Sequence, residues 1–398
     1  VAQKGGRMQT FRWHPDARLF GPSGPLPQSR VNGQVFADHP VARALSAALG
    51  GAAFRIGAIA APAPTTGFET LTSGSTGSPR RIARDPASWL ASFAVNARAF
   101  GTGPGVQVAV LGRLVQSLSL YGAVEALHLG ASLHALGGMR PDRQRRALAE
   151  RVVSQLWASP PQLQLLVEAG RQPLPALRHL LIGGAKLENG LRAALTAMCP
   201  NAEIREFYGA AEASFITLTD ATTPVHSVGM PYPGVAISIG KPGGLDTHTN
   251  PGRVWVRSPY LFRGYAGADH GRAEWQDGWL GLGEIGRIES GCLVLLGRAD
   301  RMVTVAGQNV YPEAIEAFLL RQPGVTRAAA LALPDARRGH LIEAVVMGDP
   351  ACDAAVLAAA RAEFGTMAAP RRLHWRTDWP MLASDKPDLR ALAAGISR

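Results

Sequence analysis

The sequence has few cysteines, no long apolar run and no clustered run of basic and aromatic residues. Cys199, Cys292 and Cys352 are odd in number and unclustered, so they build neither a disulfide framework nor a metal site, a usage that fits a reducing cytoplasm. The weakly polar stretch from Ala44 to Pro64 is broken by glycines and Arg55 and reads as helix, turn and strand, not as a membrane span. No secretory signal is visible; the sequence starts at Val1, which leaves a leader or an upstream domain open. Scattered arginines without a recognisable aromatic-basic module argue against nucleic acid as a partner.

What is present is a globular composition, 46% hydrophobic and 18% charged, in a chain of 398 residues. That length is too great for one ordinary core and implies two or three domains. Forty-one basic against thirty acidic residues leave a formal charge of +11, which is either a high-arginine surface or an attraction for anions. The segment Leu71-Thr-Ser-Gly-Ser-Thr-Gly-Ser-Pro-Arg80 follows a β-like run from Phe68 to Thr72, and a helical pattern opens after Pro86. Its small residues expose backbone N–H groups and offer the hydroxyls of Ser73, Ser75 and Thr76, which suits a polyanion such as a triphosphate. No Gly-Lys-Ser/Thr closes it, so it is not a Walker loop.

Periodicity divides the chain. Residues 1–67 are rich in Gly, Pro and Ala, with 21–27 irregular. From 68, strand-like runs at 106–111, 132–136, 157–159, 179–182 and 203–207 alternate with helix-like runs at 118–129, 143–155, 162–169 and 187–198. That alternation predicts an α/β fold with a parallel sheet covered by helices. Short strands at 236–239, 254–257, 285–289 and 292–295 predict a small β subdomain. A compact α+β unit follows Asp300: a strand-turn at 302–306, helices at 312–320 and 353–364, and a strand near 328–333.

Further motifs come in order: Phe207-Tyr-Gly-Ala-Ala-Glu212, Gly278-Trp-Leu-Gly-Leu-Gly-Glu284, Gly297-Arg-Ala-Asp300, Gly307-Gln-Asn-Val-Tyr-Pro-Glu-Ala-Ile-Glu316 and Ser384-Asp-Lys386. With the 71–80 segment they resemble the adenylate-forming superfamily of acyl- and aryl-CoA synthetases, peptide-synthetase adenylation domains and luciferases. The resemblance runs from about Phe68 to the C-terminus. It implies a core domain at 1–299, with a shortened lead-in at 1–67 and the β subdomain at 235–299. A mobile domain at 300–398 would carry a catalytic lysine.

The resemblance also implies roles. Thr72, Ser73, Gly74, Ser75, Thr76 and Gly77 would cradle the pyrophosphate of ATP, with Arg80 where a Lys is usual. Gly183, Gly184 and Ala185 would read the adenine edge, Tyr208 would stack on adenine, and Gly209 would belong to the same nucleotide site. Glu212 would hold Mg²⁺, a task suited to a hard oxygen ligand. Glu284, where Asp is usual, would accept the ribose hydroxyls, and Arg298 would add a second ribose or phosphate contact; Arg298 and Glu212 join Lys386 as expected catalytic residues. Asp300 falls at the hinge, and Gly307 would line the channel for a phosphopantetheine thiol. Lys386 would reach the α-phosphate and the acyl carboxylate; it is one of three lysines after residue 185, the others being Lys186 and Lys241.

The expected activity is ATP-dependent conversion of an aryl or acyl carboxylate to its AMP ester, then transfer to a thiol of coenzyme A or an acyl carrier protein. Arg113-Leu-Val-Gln-Ser-Leu-Ser-Leu120 borders the expected acyl pocket and contains no acid to pair an ammonium, which argues against an α-amino acid. Two alternatives stay open. Ala211, Glu284 and Asp385 depart from the family pattern, which would fit a binding or regulatory protein without turnover. An adenylating enzyme with a non-thiol acceptor is the other.

Overall fold

Val108-Ala-Val110, Leu156-Trp-Ala158 and Leu180-Leu-Ile182 show no polar alternation, and each of these residues is at most 1% exposed. Such runs suit strands covered on both faces. The computed structural model describes residues 10–28, 35–36, 41–49, 53–57, 61–71, 80–244, 250–267, 273–381 and 387–396. The chain divides into two units, one of residues 1–74, 78–237 and 256–273, the other of residues 75–77, 238–255 and 274–398.

Six strands of the first unit pair in parallel, in the order Arg18–Gly21, Ser132–Ala135, Gln107–Val110, Gln155–Ala158, His179–Ile182, Glu203–Ala210. Antiparallel strands flank them, Gly24–Leu26 at one edge and Ser214–Leu218 with Met230–Pro231 at the other. Alternate side chains divide between two cores, as the strand period requires. Val108, Val110, Trp157 and Leu181 pack with helices Pro86–Phe100 and Ser117–Leu129. Ala109, Leu156, Leu180 and Ile182 pack with helices Pro141–Glu150, Pro160–Glu168 and Asn189–Met198.

The expected strand and helix series is present, with corrections at its edges. Residues 21–27 are not irregular; they form most of a hairpin whose first strand extends the parallel sheet. Glycines at the turn and two prolines conceal it, because a short edge strand tolerates what a central one cannot. The helix expected to reach 155 ends at Glu150, and Gln155 already belongs to a strand. The 72–79 loop is followed by the strand Arg81–Arg84 before the helix at Pro86. Three arginines in five residues hide that strand from a hydrophobicity pattern.

A second sheet of this unit runs Gly264–Tyr265, Arg81–Arg84, Gly67–Leu71, Ala53–Ile56, Val35–Phe36. Phe68 is fully buried, with the ring of Phe11 5.2 Å away and that of Phe54 5.7 Å away. The lead-in therefore supplies core to the strand that carries the loop. Arg55 and Glu69 form a buried ion pair at 2.7 Å on neighbouring strands.

A small sheet, mostly of second-unit residues, runs Ala236–Ile239, Gly252–Arg257, Trp279–Glu289, Glu274–Gln276, with Cys292–Arg298 also on Trp279–Glu289. The hairpin Val303–Val305 and Gln308–Val310 follows. Then come helix Pro312–Leu319, a three-stranded sheet of Val325–Asp335, Gly339–Gly348 and Leu373–Trp375, and helices Asp353–Ala368 and Leu389–Ala394. Among the described residues no helix is long and apolar enough to cross a membrane.

A polar cluster lies against the first core. Asn96 donates to Glu125 Oε1 at 2.8 Å and Tyr232 donates to Asn96 at 2.6 Å, while the Tyr121 hydroxyl meets Ser92 at 2.7 Å. Glu125 is fully buried and its Oε2 has no partner among the described residues. Burial pushes its carboxyl up from 4.5 to about 8, so the folded chain keeps a proton there that the unfolded chain releases. Across that window stability falls as pH rises. Glu125→Gln removes this contribution, so its melting temperature should gain on the wild type steadily between about pH 5 and about pH 8. Thermal melts of both proteins over a pH series check this, and a constant difference would place the pH dependence elsewhere.

Candidate active site

Two neighbouring parallel strands deliver the first part of the site. His179–Ile182 pairs with Glu203–Ala210 in a register that sets Ile182 beside Glu206. The turn Gly183-Gly-Ala185 leaves the end of the first strand, and Tyr208 and Gly209 lie at the same end of the second. Crevices beyond the carboxyl ends of parallel strands are where α/β sheets bind ligands. Close packing forces the glycines. A Cβ on Gly183 would sit 2.4 Å from the Phe207 ring, and Gly184 has φ +93°. On Gly209 a Cβ would sit 2.0 Å from the Ser214 carbonyl oxygen.

Glu212 lies in the tight turn from Glu203–Ala210 to the antiparallel strand Ser214–Leu218, with Ser214 at φ 58°. The Tyr265 hydroxyl donates to Glu212 Oε1 at 2.9 Å, and the Phe262 N–H donates to its carbonyl at 2.7 Å. Glu212 Oε2 accepts no hydrogen bond among the described residues. Behind the turn lies Arg84, fully buried, which donates to the Ala211 carbonyl from Nε and Nη2 at 3.1 and 2.8 Å. Its Nη1 donates to the Tyr260 carbonyl at 2.9 Å and to Ser88 at 3.0 Å. Burial lowers the Arg84 guanidinium to about 9, with the charge of Glu212 acting in the opposite direction.

Residues 72–77 of the expected phosphate cradle lie outside the described residues, but both flanks are fixed. Leu71 and Arg81 are antiparallel partners. The Leu71 N–H also donates to Val115 at 3.2 Å, and Ser117 donates to Thr70 at 2.9 Å. These bonds bring the 113–120 segment against the strand that enters the loop. The Arg80 guanidinium carbon lies 5.9 Å from the centre of the Tyr265 ring.

The second unit brings Glu284, Arg298 and Asp300 together. Glu284 and Arg298 are cross-strand partners with Oε1 and Nη1 3.6 Å apart, and Arg298 Nε lies 3.3 Å from Asp300. Gly307 turns the 303–310 hairpin at φ +84°, after Ala306 at φ 49°; a Cβ on Gly307 would meet nothing within 4 Å. The backbone angle, more than crowding in this unit, calls for glycine there. Lys386 lies outside the described residues. Its segment is bracketed by the Met381–Pro387 bridge and by helix Leu389–Ala394, capped by Asp388.

Among the described residues no three His, Cys, Asp or Glu side chains cluster as a metal site. A lone carboxylate with one oxygen unpartnered among the described residues fits Mg²⁺, which is bound by one or two carboxylates together with phosphate and water. Sequence reasoning missed Arg84 and Tyr265. Arg84 reads as part of a basic run, and Tyr265 is distant in sequence from the turn it touches.

Comparison with known proteins identifies the family. The AMP-binding enzyme family matches residues 65–266, and the AMP-binding enzyme C-terminal domain matches 314–386. The uncharacterized acyl-CoA ligase YhfT of Bacillus subtilis is 31% identical over 284 residues, 70% of this chain and 58% of that protein. The putative long chain fatty acid-CoA ligase VraA of Staphylococcus epidermidis is 30% identical over 275 residues, 68% of this chain and 58% of that one. The chain thus spans somewhat over half the length of these curated relatives. A variant of the amide bond synthetase McbA from Marinactinospora thermotolerans has a TM-score of 0.71 and 26% identity, covering 79% of this chain and 67% of that one. The o-succinylbenzoate CoA synthetase MenE of Bacillus subtilis, bound to its acyl-adenylate, shares the fold at TM-score 0.71 and 21% identity, covering 83% and 69%. The chain belongs to the AMP-binding enzyme family of the adenylate-forming superfamily.

Proposed function

We propose that the protein is an AMP-forming acid–thiol ligase. It joins an acyl or aryl carboxylate to the α-phosphate of ATP, releases pyrophosphate, and passes the acyl group to a phosphopantetheine thiol, releasing AMP. The observation that carries this reading is the parallel register that sets the 183–185 turn and the 208–212 turn side by side at the carboxyl ends of two strands. The acyl-CoA ligase relatives favour coenzyme A as acceptor, and a carrier protein is the rival thiol.

The chemical problem is repulsion between a carboxylate and a phosphate, which the site must cancel while holding both in line. In this reading Thr72, Ser73, Ser75 and Thr76, with the loop N–H groups, bind the departing pyrophosphate. Gly183, Gly184 and Ala185 approach the adenine closely because they carry little or no side chain. Glu212 would hold Mg²⁺, which when bound neutralises charge between phosphate oxygens. Glu284 accepts the ribose hydroxyls, and Arg298 orients Glu284. Lys386 brings a cation to the α-phosphate and the attacking carboxylate. Residues 300–398 turn about Asp300 between the half-reactions, so that Lys386 serves the first and the Gly307 hairpin borders the thiol path in the second.

The likeness to an amide bond synthetase supports a second reading, in which an amine takes the acyl group. Assays with one activated acid and matched concentrations of coenzyme A, carrier protein and amine separate the acceptors. Thioester from either thiol supports the proposal, and amide alone contradicts it.

Lys386→Ala should reduce adenylate formation by about a hundredfold or more, the loss of a charge-stabilising group in the transition state. Thioester formation from supplied acyl adenylate should persist. Equal loss of both half-reactions in a folded variant would remove Lys386 from this role. Gly307→Trp should leave pyrophosphate exchange near normal and stop thioester release, with Gly307→Asn as the control that tolerates a positive φ. Unimpaired thioester synthesis in the Trp variant would place the thiol path elsewhere.

A further inference from the structure

Buried arginines are expensive unless their charge is matched. Arg55, on the adjacent sheet, follows that rule through Glu69 at 2.7 Å. Arg84 is equally inaccessible, yet all its described hydrogen-bond partners are uncharged: the Ala211 carbonyl, the Tyr260 carbonyl and the Ser88 hydroxyl. An uncharged donor would satisfy the Ala211 carbonyl with far less desolvation. The fork instead closes on the residue before Glu212, and Glu212 supplies the largest charge opposing the effect of burial on Arg84.

Tyr265 approaches the same residue from the other end, its hydroxyl 2.9 Å from Glu212 Oε1. Both side chains belong to one antiparallel pair, in which Tyr265 lies opposite Ile82 and Gly264 opposite Ala83. The Phe262 N–H on the Glu212 carbonyl completes the hold at 2.7 Å. The turn is thus held at the Ala211 carbonyl, the Glu212 carbonyl and one carboxylate oxygen. The strand that carries Arg84 is also the one that leaves the 72–79 loop.

We propose that Arg84 and Tyr265 are positioning residues that fix the Glu212 carboxylate, leaving Oε2 for the metal. This rests on the reading of Glu212 as the metal-holding carboxylate. Arg84 holds the main chain of the turn and sets a cation beneath it. Tyr265 occupies Oε1, which orients the carboxylate and favours one oxygen on the metal. The strand Arg81–Arg84 anchors this hold in its sheet, because it pairs with Gly67–Leu71 on one side and with Gly264–Tyr265 on the other.

The test uses the full chain with Mn²⁺ as a spectroscopic probe. Free Mn²⁺ is titrated by electron paramagnetic resonance in the presence of an ATP analogue that cannot be cleaved at the α-phosphate. Glu212→Gln, Tyr265→Phe and Arg84→Lys are compared with the wild type, and analogue binding without metal is measured alongside. Loss of a group that orients a metal ligand weakens metal affinity by about 10- to 100-fold. Tyr265→Phe and Arg84→Lys should both fall in that range, with metal-free analogue affinity unchanged. The lysine keeps the charge and loses the fork, so its effect reports positioning. If Arg84→Lys fails to fold, Tyr265→Phe decides alone. Wild-type Mn²⁺ affinity in Tyr265→Phe, with weakened affinity in Glu212→Gln, would overturn the positioning roles and leave the Glu212 assignment standing. Wild-type affinity in Glu212→Gln would overturn the Glu212 assignment and the inference with it.

Discussion

The parallel pairing of His179–Ile182 with Glu203–Ala210 is the constraint on which the rest of the first unit depends. A slip of one residue would turn Leu180 and Ile182 toward the wrong core and carry Phe207 away from Gly183. The close approach of that ring to the Gly183 backbone fixes the relative height of the two turns. Everything proposed for nucleotide binding in this unit inherits that height. The sheet sets two turns beside each other, and the turns leave room for a ligand only because glycines stand at their closest contacts.

Charge is managed differently at three deeply buried sites of this unit. Arg55 and Glu69 form an ion pair of ordinary kind, stitching the lead-in to the strand before the 72–79 loop. Glu125 avoids the cost of an isolated charge by keeping its proton; burial drives this, against the bonds donated by Asn96 and Tyr121. Arg84 does neither. Its guanidinium is spread over carbonyl and hydroxyl oxygens, with the nearby charge of Glu212 as counterweight. Of the three, only Arg84 adjoins a residue proposed to act in the chemistry.

Much of the architecture was legible because its signals are local. Apolar runs buried on both faces gave the central strands, and the strand at 179–182 has the bounds expected. The helix at Pro312–Leu319 follows from its proline and its spacing of apolar residues. The edges were less legible. Arg81–Arg84 carries two arginines in four residues, and its strand character comes from neighbours on both sides, not from its own pattern. Glu212, Tyr208 and the glycine turn are singled out by motif, but the residues that hold the Glu212 turn are not. Arg84 and Tyr265 meet the turn only through sheet pairing across distant parts of the sequence, which periodicity does not register.

The central claim is that this chain activates a carboxylate with ATP. Acid-dependent exchange of labelled pyrophosphate into ATP, measured across a panel of aliphatic and aromatic carboxylates, tests it without any assumption about the acceptor. The account predicts exchange with at least one acid of the panel, dependent on divalent cation and absent without acid. A folded protein that binds ATP and supports no exchange with any carboxylate would contradict it.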